Sequence, residues 1–432
     1  MSSSSEAPWV GLEVEVRLGA PGHGGFCVAR HEGRVLFVRH GLPGELVRAR
    51  VTEDRGGSFC RADAFEILEP SADRVPASCP VSGPGGAGCC DFSFATPAAQ
   101  RALKAAVVAE QLRRVAGWET EVEVEALRDA DIAGTGGWRT RLRLVVDDEG
   151  RAGVHRFRST EVLTDLRCPQ PIPGAVAGIA ERSWTPGADL IVAVDGDGLR
   201  HIVESVPAGS PRRGRSGGDR RSTAARRAAA HARHVERVAD GSGRAVQYVA
   251  GRRWEVSATG FWQPHQDAAQ RYSDVVAEWA EVAPGDRAWD LYCGAGVFAA
   301  RLAEQVGAEG SVAGVESARA AVADGNAALR DLPQARLDAE RVERWLGERR
   351  TEPAPDVVVL DPPRAGAGRD VVAGITARRP ARIVHIGCDP AAFARDLGLY
   401  RAAGYTASRL RAFDAFPATH HVECLALLEP SR

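Results

Sequence analysis

The stretch Trp289–Ala300, WDLYCGAGVFAA, constrains the fold more than any other part of the chain. Apolar residues lead into Asp290 and Tyr292, a turn carries Gly294 and Gly296, and Val297–Val306 has helical character. Strand, glycine turn and helix start in that order form the local pattern of a nucleotide-binding βα unit. Glycines let the backbone approach a ligand closely, and the helix start offers free N–H groups. Glu316 follows about twenty residues later, after the apolar run Ser311–Val315, where an acid can bind ribose hydroxyls. The triplet Gly294-Ala295-Gly296 lacks the third glycine of a G-x-G-x-x-G fingerprint, and Ala299 does not supply it. That weighs against a dinucleotide, and hence against a nicotinamide dehydrogenase, and favours S-adenosylmethionine.

Further on, Asp356–Leu360 is an apolar strand ending in Asp361-Pro362-Pro363-Arg364, and Arg382–Ile386 is another, ending in Gly387-Cys388-Asp389-Pro390. A last segment runs from Phe413-Asp414-Ala415-Phe416-Pro417 to His420-His421-Val422-Glu423-Cys424. The series DLYCGAGVFA, LDPPRAG, IGCDP and FDAFPATHHVEC, from about residue 240 to the C-terminus, resembles the signature motifs of the RNA 5-methyluridine methyltransferases. The resemblance implies a seven-stranded, doubly wound, Rossmann-like α/β domain over residues 241–432 that uses S-adenosylmethionine. It implies Cys388 as nucleophile and Glu423 as base. Gln263, in Phe261-Trp262-Gln263, and Asp361 then lie near donor and target base, and Arg364 faces RNA phosphate. The donor site is completed by Asp290, Tyr292, Gly294, Gly296 and Glu316. Asp338 and Glu340 are candidates for the adenine contact, and His420 and His421 are read as structural.

The chemistry asks for the same residue types. C5 of uracil is too weak a nucleophile to attack a methyl sulfonium unaided. A thiolate adding to C6 makes C5 an enolate carbon, and a base must later remove the C5 proton so that the thiol can leave. Cys388 stands in a loop at a strand's carboxyl end, where open α/β sheets place their chemistry. A lone cysteine is more often a small buried hydrophobe and a lone glutamate a solvated carboxylate; the surrounding motifs reverse both readings. Two rivals remain, a 5-methylcytidine methyltransferase sharing the thiolate logic and a non-catalytic RNA-binding factor on the same fold.

Upstream, Val10–Leu18, Gly25–His31, Arg34–Val38, Glu45–Glu53 and Cys60–Leu68 alternate apolar and polar residues between glycine- and proline-rich turns. Five such strands predict a small OB-type β-barrel over residues 1–70. Its position resembles the TRAM domain of the same family, which implies a grip on RNA. Residues 71–240 are expected to form a β-rich central domain with one helix, Ala98–Ala116. On one of its strands Arg139, Arg141 and Arg143 alternate on one face, either a phosphate-facing row or a plain solvated face. Cys79, Cys89, Cys90 and distant Cys168 resemble the family's ligand set for a [4Fe–4S] cluster. The pattern departs from the family's, because Ala87 occupies the expected second position and Cys89 abuts Cys90. A degraded site, or three ligands with a non-protein fourth, are the other readings. The stretch 209–227, rich in arginine, glycine and serine, reads as a flexible loop.

With 432 residues the chain has room for more than one domain. Its formal net charge of −2 gives no global basic signal, although a local patch suffices to hold structured RNA, ribosomal or transfer. No apolar stretch reaches membrane-spanning length. Nine cysteines behind a polar start fit reduced thiols in the cytoplasm. A monomer is expected.

Overall fold

The computed structural model describes residues 9–134, 137–207, 234–349 and 353–431. The arginine-rich stretch 209–227 lies outside the described residues. No described helix is long and apolar enough to cross a membrane.

The N-terminal strands form a six-stranded sheet: Glu13–Arg17, Leu46–Asp54, Phe59–Glu69, Arg34–Arg39, Phe26–His31 and the short Pro21–Gly22 in spatial order. Period-2 alternation turns Val14, Val16, Cys27, Ala29, Leu36, Val38, Val47, Ala49, Cys60 and Ala62 inward to one core. Past Arg17 the chain bonds to the far edge, Gly19 N–H to the Val28 carbonyl at 2.8 Å and Val28 N–H to the Ala20 carbonyl at 3.0 Å. The sheet thereby curls shut as an OB-like barrel.

A second six-stranded antiparallel sheet follows, from Val162–Leu163 through Ala152–His155, Arg141–Val146, Asp189–Val194 and Arg200–Pro207 to His234–Asp240. Leu144, Val146, Ile179, Trp184, Leu190, Val192 and Ile202 fill its core. The expected arginine row does not form a phosphate-facing surface. Arg141 is buried and donates to the Ser257 and Ala258 carbonyls, Arg139 turns in to Gln170, and Arg143 pairs with Asp189. The irregular entry to the strand at Arg139 breaks the alternation on which that row depended.

The catalytic sheet holds the seven strands expected of residues 241–432 and adds an eighth from upstream. Its order is Ala335–Ala339, Ser311–Glu316, Arg287–Leu291, Val357–Leu360, Arg382–Gly387, Glu423–Pro430, Tyr405–Asp414 and Val124–Ala126. The first five are parallel; the central Val357–Leu360 is apolar and buried on both faces, while the edge strand Ala335–Ala339 buries only Leu337. Two large cores flank the sheet. The eighth strand comes from residues assigned to the central domain, and so does the helix Pro97–Gln111 with its π-helical continuation Leu112–Ala116. Val108, Leu112 and Val124 pack with Leu397, Tyr400 and Ala412. The core is therefore not divided at residue 240, because this apolar face has its partner on the catalytic sheet.

Candidate active site

The donor half of the cleft is built where the Arg287–Leu291 strand gives way to helix Val297–Val306. Tyr292, Gly294 and Gly296 all take positive φ, at 62°, 54° and 76°. The two glycines differ in kind. A Cβ on Gly296 would strike Leu337 Cδ1 at 2.8 Å, whereas a Cβ on Gly294 would meet open space. Gly296 serves packing and Gly294 leaves room for a ligand. Asp290 is fully buried; one carboxylate oxygen accepts the Ala299 N–H at 2.8 Å and the other has no partner. Burial, reinforced by Asp361 and Glu316, pushes it up to about 8. Glu316 caps the next strand and accepts the Ala318 N–H at 2.7 Å. Asp338 is engaged by Trp345, Arg349 and Arg336, and Glu340 pairs with Arg344.

The nucleophile half lies two strands along. Antiparallel register pairs Gly387 with Cys424 and Ile386 with Leu425, which sets Cys388, one residue past its strand, beside Glu423 and within its electrostatic reach. Glu423 is 2 % exposed and its Oε1 has no partner. Burial holds it well above the carboxylate range, Asp361 adds to this and Arg364 opposes it. The half-buried Cys388 thiol is pushed up to about 12 by burial, then by Glu423 and Asp361. Asp361, at the end of the intervening strand, is pushed up to about 7 by its enclosure and accepts from Gln263 Nε2 at 3.4 Å. Arg364 reaches His421 Nε2 at 3.3 Å. Cys388, Glu423, Asp361 and Gln263 thus line one cleft, with Asp290 and the glycine turn beside them.

The cysteine group forms apart from this cleft. The sulfurs of Cys79, Cys90 and Cys168 lie within 4.8 Å of one another. Hydrogen bonds with Cys168 and Cys90 favour the Cys79 thiolate, and Gln170 Nε2 donates to Cys90 Sγ at 3.2 Å. Cys89 stands at their margin: it is exposed, Gly88 before it has φ 69°, and its thiol still contacts that of Cys90. Three thiols converging on one point, with the Cys89 thiol beside them, are the donor set of a soft-metal or iron–sulfur site.

The family profile for tRNA (Uracil-5-)-methyltransferase matches residues 234–431, and that for the TRAM domain matches residues 9–64. A protein of Streptomyces avermitilis named as an uncharacterized RNA methyltransferase is 42% identical, over 98% of this chain and 99% of its own. The chain belongs to the RNA (uracil-C5) methyltransferase family. A namesake in Corynebacterium glutamicum is 37% identical over 96% of each chain. The fold matches that of the Pyrococcus abyssi tRNA (uracil-54, C5)-methyltransferase, solved with S-adenosyl-L-homocysteine, with TM-score 0.67 and 18% identity over 96% of this chain and 100% of that one.

Three features of this methyltransferase escaped the sequence reading. Tyr272, on helix Ala268–Ala280, is fully buried with an unpartnered hydroxyl in the electrostatic reach of Glu423, Asp361 and Cys388. Only an amphipathic pattern marked it, which predicts core. The barrel also touches the catalytic segment directly. His23 Nε2 lies 3.1 Å from the carboxylate of Asp389, the residue after Cys388. Asp91 binds Arg39 of the barrel at 2.7 Å and His420 of the C-terminal motif at 2.6 Å. No local pattern signals contacts between segments so far apart in sequence.

Proposed function

We propose that the enzyme transfers the methyl group of S-adenosylmethionine to C5 of a uridine in structured RNA, ribosomal RNA of the large subunit ahead of transfer RNA. The observation carrying this is the placement of Cys388 beside an enclosed, unpartnered Glu423 at the mouth of the donor cleft. The target base must leave its stack to bring C5 and C6 between them. The Cys388 thiolate adds to C6, and the enolate carbon C5 takes the methyl in line, leaving S-adenosylhomocysteine. Glu423 removes the C5 proton, the C6–S bond breaks, and the thiolate departs. Gln263 and Asp361 orient the uracil edge beside the donor. Asp290, Tyr292, Gly294, Gly296 and Glu316 hold the donor itself.

Cys79, Cys90 and Cys168, with Cys89 at their edge as the fourth thiolate, would bind an iron–sulfur cluster. Such a cluster would brace the loop leading into Asp91, and its presence favours the ribosomal substrate. Iron and sulfide analysis of anaerobically purified protein tests it. We expect the protein to act as a cytoplasmic monomer.

Unmodified ribosomal and transfer RNA transcripts, each incubated with enzyme and donor and mapped for 5-methyluridine, test the main proposal. Methyl on a single uridine of the ribosomal transcript is expected, and none with Cys388→Ala. Full activity of Cys388→Ala would refute the thiolate route, methyl on cytidine would select the rival pyrimidine, and modification of the transfer RNA alone would reassign the substrate.

A further inference from the structure

Lys104 is the single lysine in a chain that otherwise draws its side-chain cations from arginine, and it is buried at 1 % exposure. It projects from helix Pro97–Gln111, outside the methyltransferase motifs. Its ammonium donates to Asp414 Oδ1 at 2.5 Å and to the Phe416 carbonyl at 3.1 Å. One turn earlier the buried Gln100 accepts the Ala418 N–H at 2.7 Å through Oε1, and its own amide donates to the Ala95 carbonyl at 2.9 Å. Spacing of four residues sets both side chains on one helix face. Asp414 ends the Tyr405–Asp414 strand, and Phe416 and Ala418 lie in the turn that joins it to the Glu423–Pro430 strand.

That turn is under constraint. Ala418 has φ 65°, a conformation costing a residue with a Cβ about 1–2 kcal/mol, so the turn needs outside support to persist. Its two ends also meet, since Phe413 pairs with Glu423 across the strands. Whatever fixes Asp414, Phe416 and Ala418 therefore fixes how Glu423 enters the cleft.

We propose that Lys104 and Gln100 are positioning residues that hold the 414–419 turn so that Glu423 meets the C5 proton. The proposal rests on the reading of Cys388 and Glu423 given above. In its absence Cys388 still adds to C6 and C5 still takes the methyl. Proton removal is then slow, and the methylated RNA stays on the cysteine.

The test is single-turnover reaction of Lys104→Met and of Gln100→Met with transcripts carrying tritium at uridine C5 and with methyl-labelled S-adenosylmethionine. Methyl transfer should stay near the wild-type rate, while tritium release slows at least about tenfold and a protein–RNA adduct accumulates; a misplacement of about 1 Å can cost about 100-fold. Gln100→Met leaves the Lys104–Asp414 pair in place, which keeps the test open if Lys104→Met does not fold. Tritium release that keeps pace with methyl transfer in the folded variants would overturn the proposal. So would a parallel loss of both steps and of donor affinity, which marks a role in folding alone. If Glu423→Gln yields no adduct on the same RNA, the catalytic reading fails and this proposal falls with it.

Discussion

Cys388 and Glu423 are each held in the protonated form by the cleft that makes them useful. Burial dominates for both, and each is made worse by neighbouring acids. Nucleophilic attack needs the thiolate and proton removal needs the carboxylate, so both requirements are met more fully as pH rises. The single-turnover rate should still be climbing from about pH 6 to about pH 9, without the plateau from about pH 5 that an ordinary carboxylate base alone would give. A flat or falling profile would contradict these assignments. Asp290 gives a stability counterpart. Its folded value of about 8 exceeds that of an exposed aspartate, so the folded state binds a proton that the unfolded chain has released. Its contribution is complete below the ordinary carboxylate value and is lost as pH rises toward about 8, at up to about 1.4 kcal/mol per pH unit. Asp290→Asn keeps an oxygen for the Ala299 N–H and removes the titration. The variant should gain on the wild type in urea unfolding at pH 8 and match it near pH 4; equal slopes against pH would count against the enclosure of Asp290.

At the scale of the element, the glycine turn can be split by substitution. Gly294→Ala meets no protein atom and bears only the left-handed strain, about 1–2 kcal/mol. Gly296→Ala adds a clash with Leu337, a further cost of about 1–3 kcal/mol. Donor titration should reverse the order, with affinity lost at Gly294→Ala beyond its effect on stability. Equal unfolding costs for the two would show that the turn is not divided in this way. This element was legible before the structure because its demands are local. Strand, turn and helix fall within WDLYCGAGVFAA, and helix Val297–Val306 and strand Arg382–Gly387 came out within a residue of their predicted ends. The eighth strand was not legible, since Val124–Ala126 is three residues long and owes its state to the edge at Ala412–Asp414. The cysteine group shows a related limit: spacing shows which cysteines are near in sequence, and the turn at Gly88 decides which are buried and which, like Cys89, stay exposed.

Across the whole molecule, the barrel and the catalytic domain are joined at the active site itself. Asp91 links Arg39 to His420, and His23 meets Asp389 beside the nucleophile. An RNA held by the barrel therefore lies against a surface continuous with the cleft. Asp91 is 4 % exposed and joins Arg39 and His420, partners from different segments. Removing it leaves a guanidinium without its counter-charge and an imidazole without its partner, so Asp91→Ala should lower unfolding free energy by about 3 kcal/mol or more. A loss below about 1 kcal/mol would mean that the junction is a surface contact only.

The central claim is that Cys388 becomes bonded to the pyrimidine while Glu423 releases it. Glu423→Gln enzyme incubated with transcript and S-adenosylmethionine, digested with ribonuclease and protease, and mapped by mass spectrometry tests that claim most directly. The account predicts a methylated uridine nucleotide on the peptide that contains Cys388, and none when Cys388→Ala is combined with it. An unmodified Cys388 peptide alongside normally methylated RNA would contradict it.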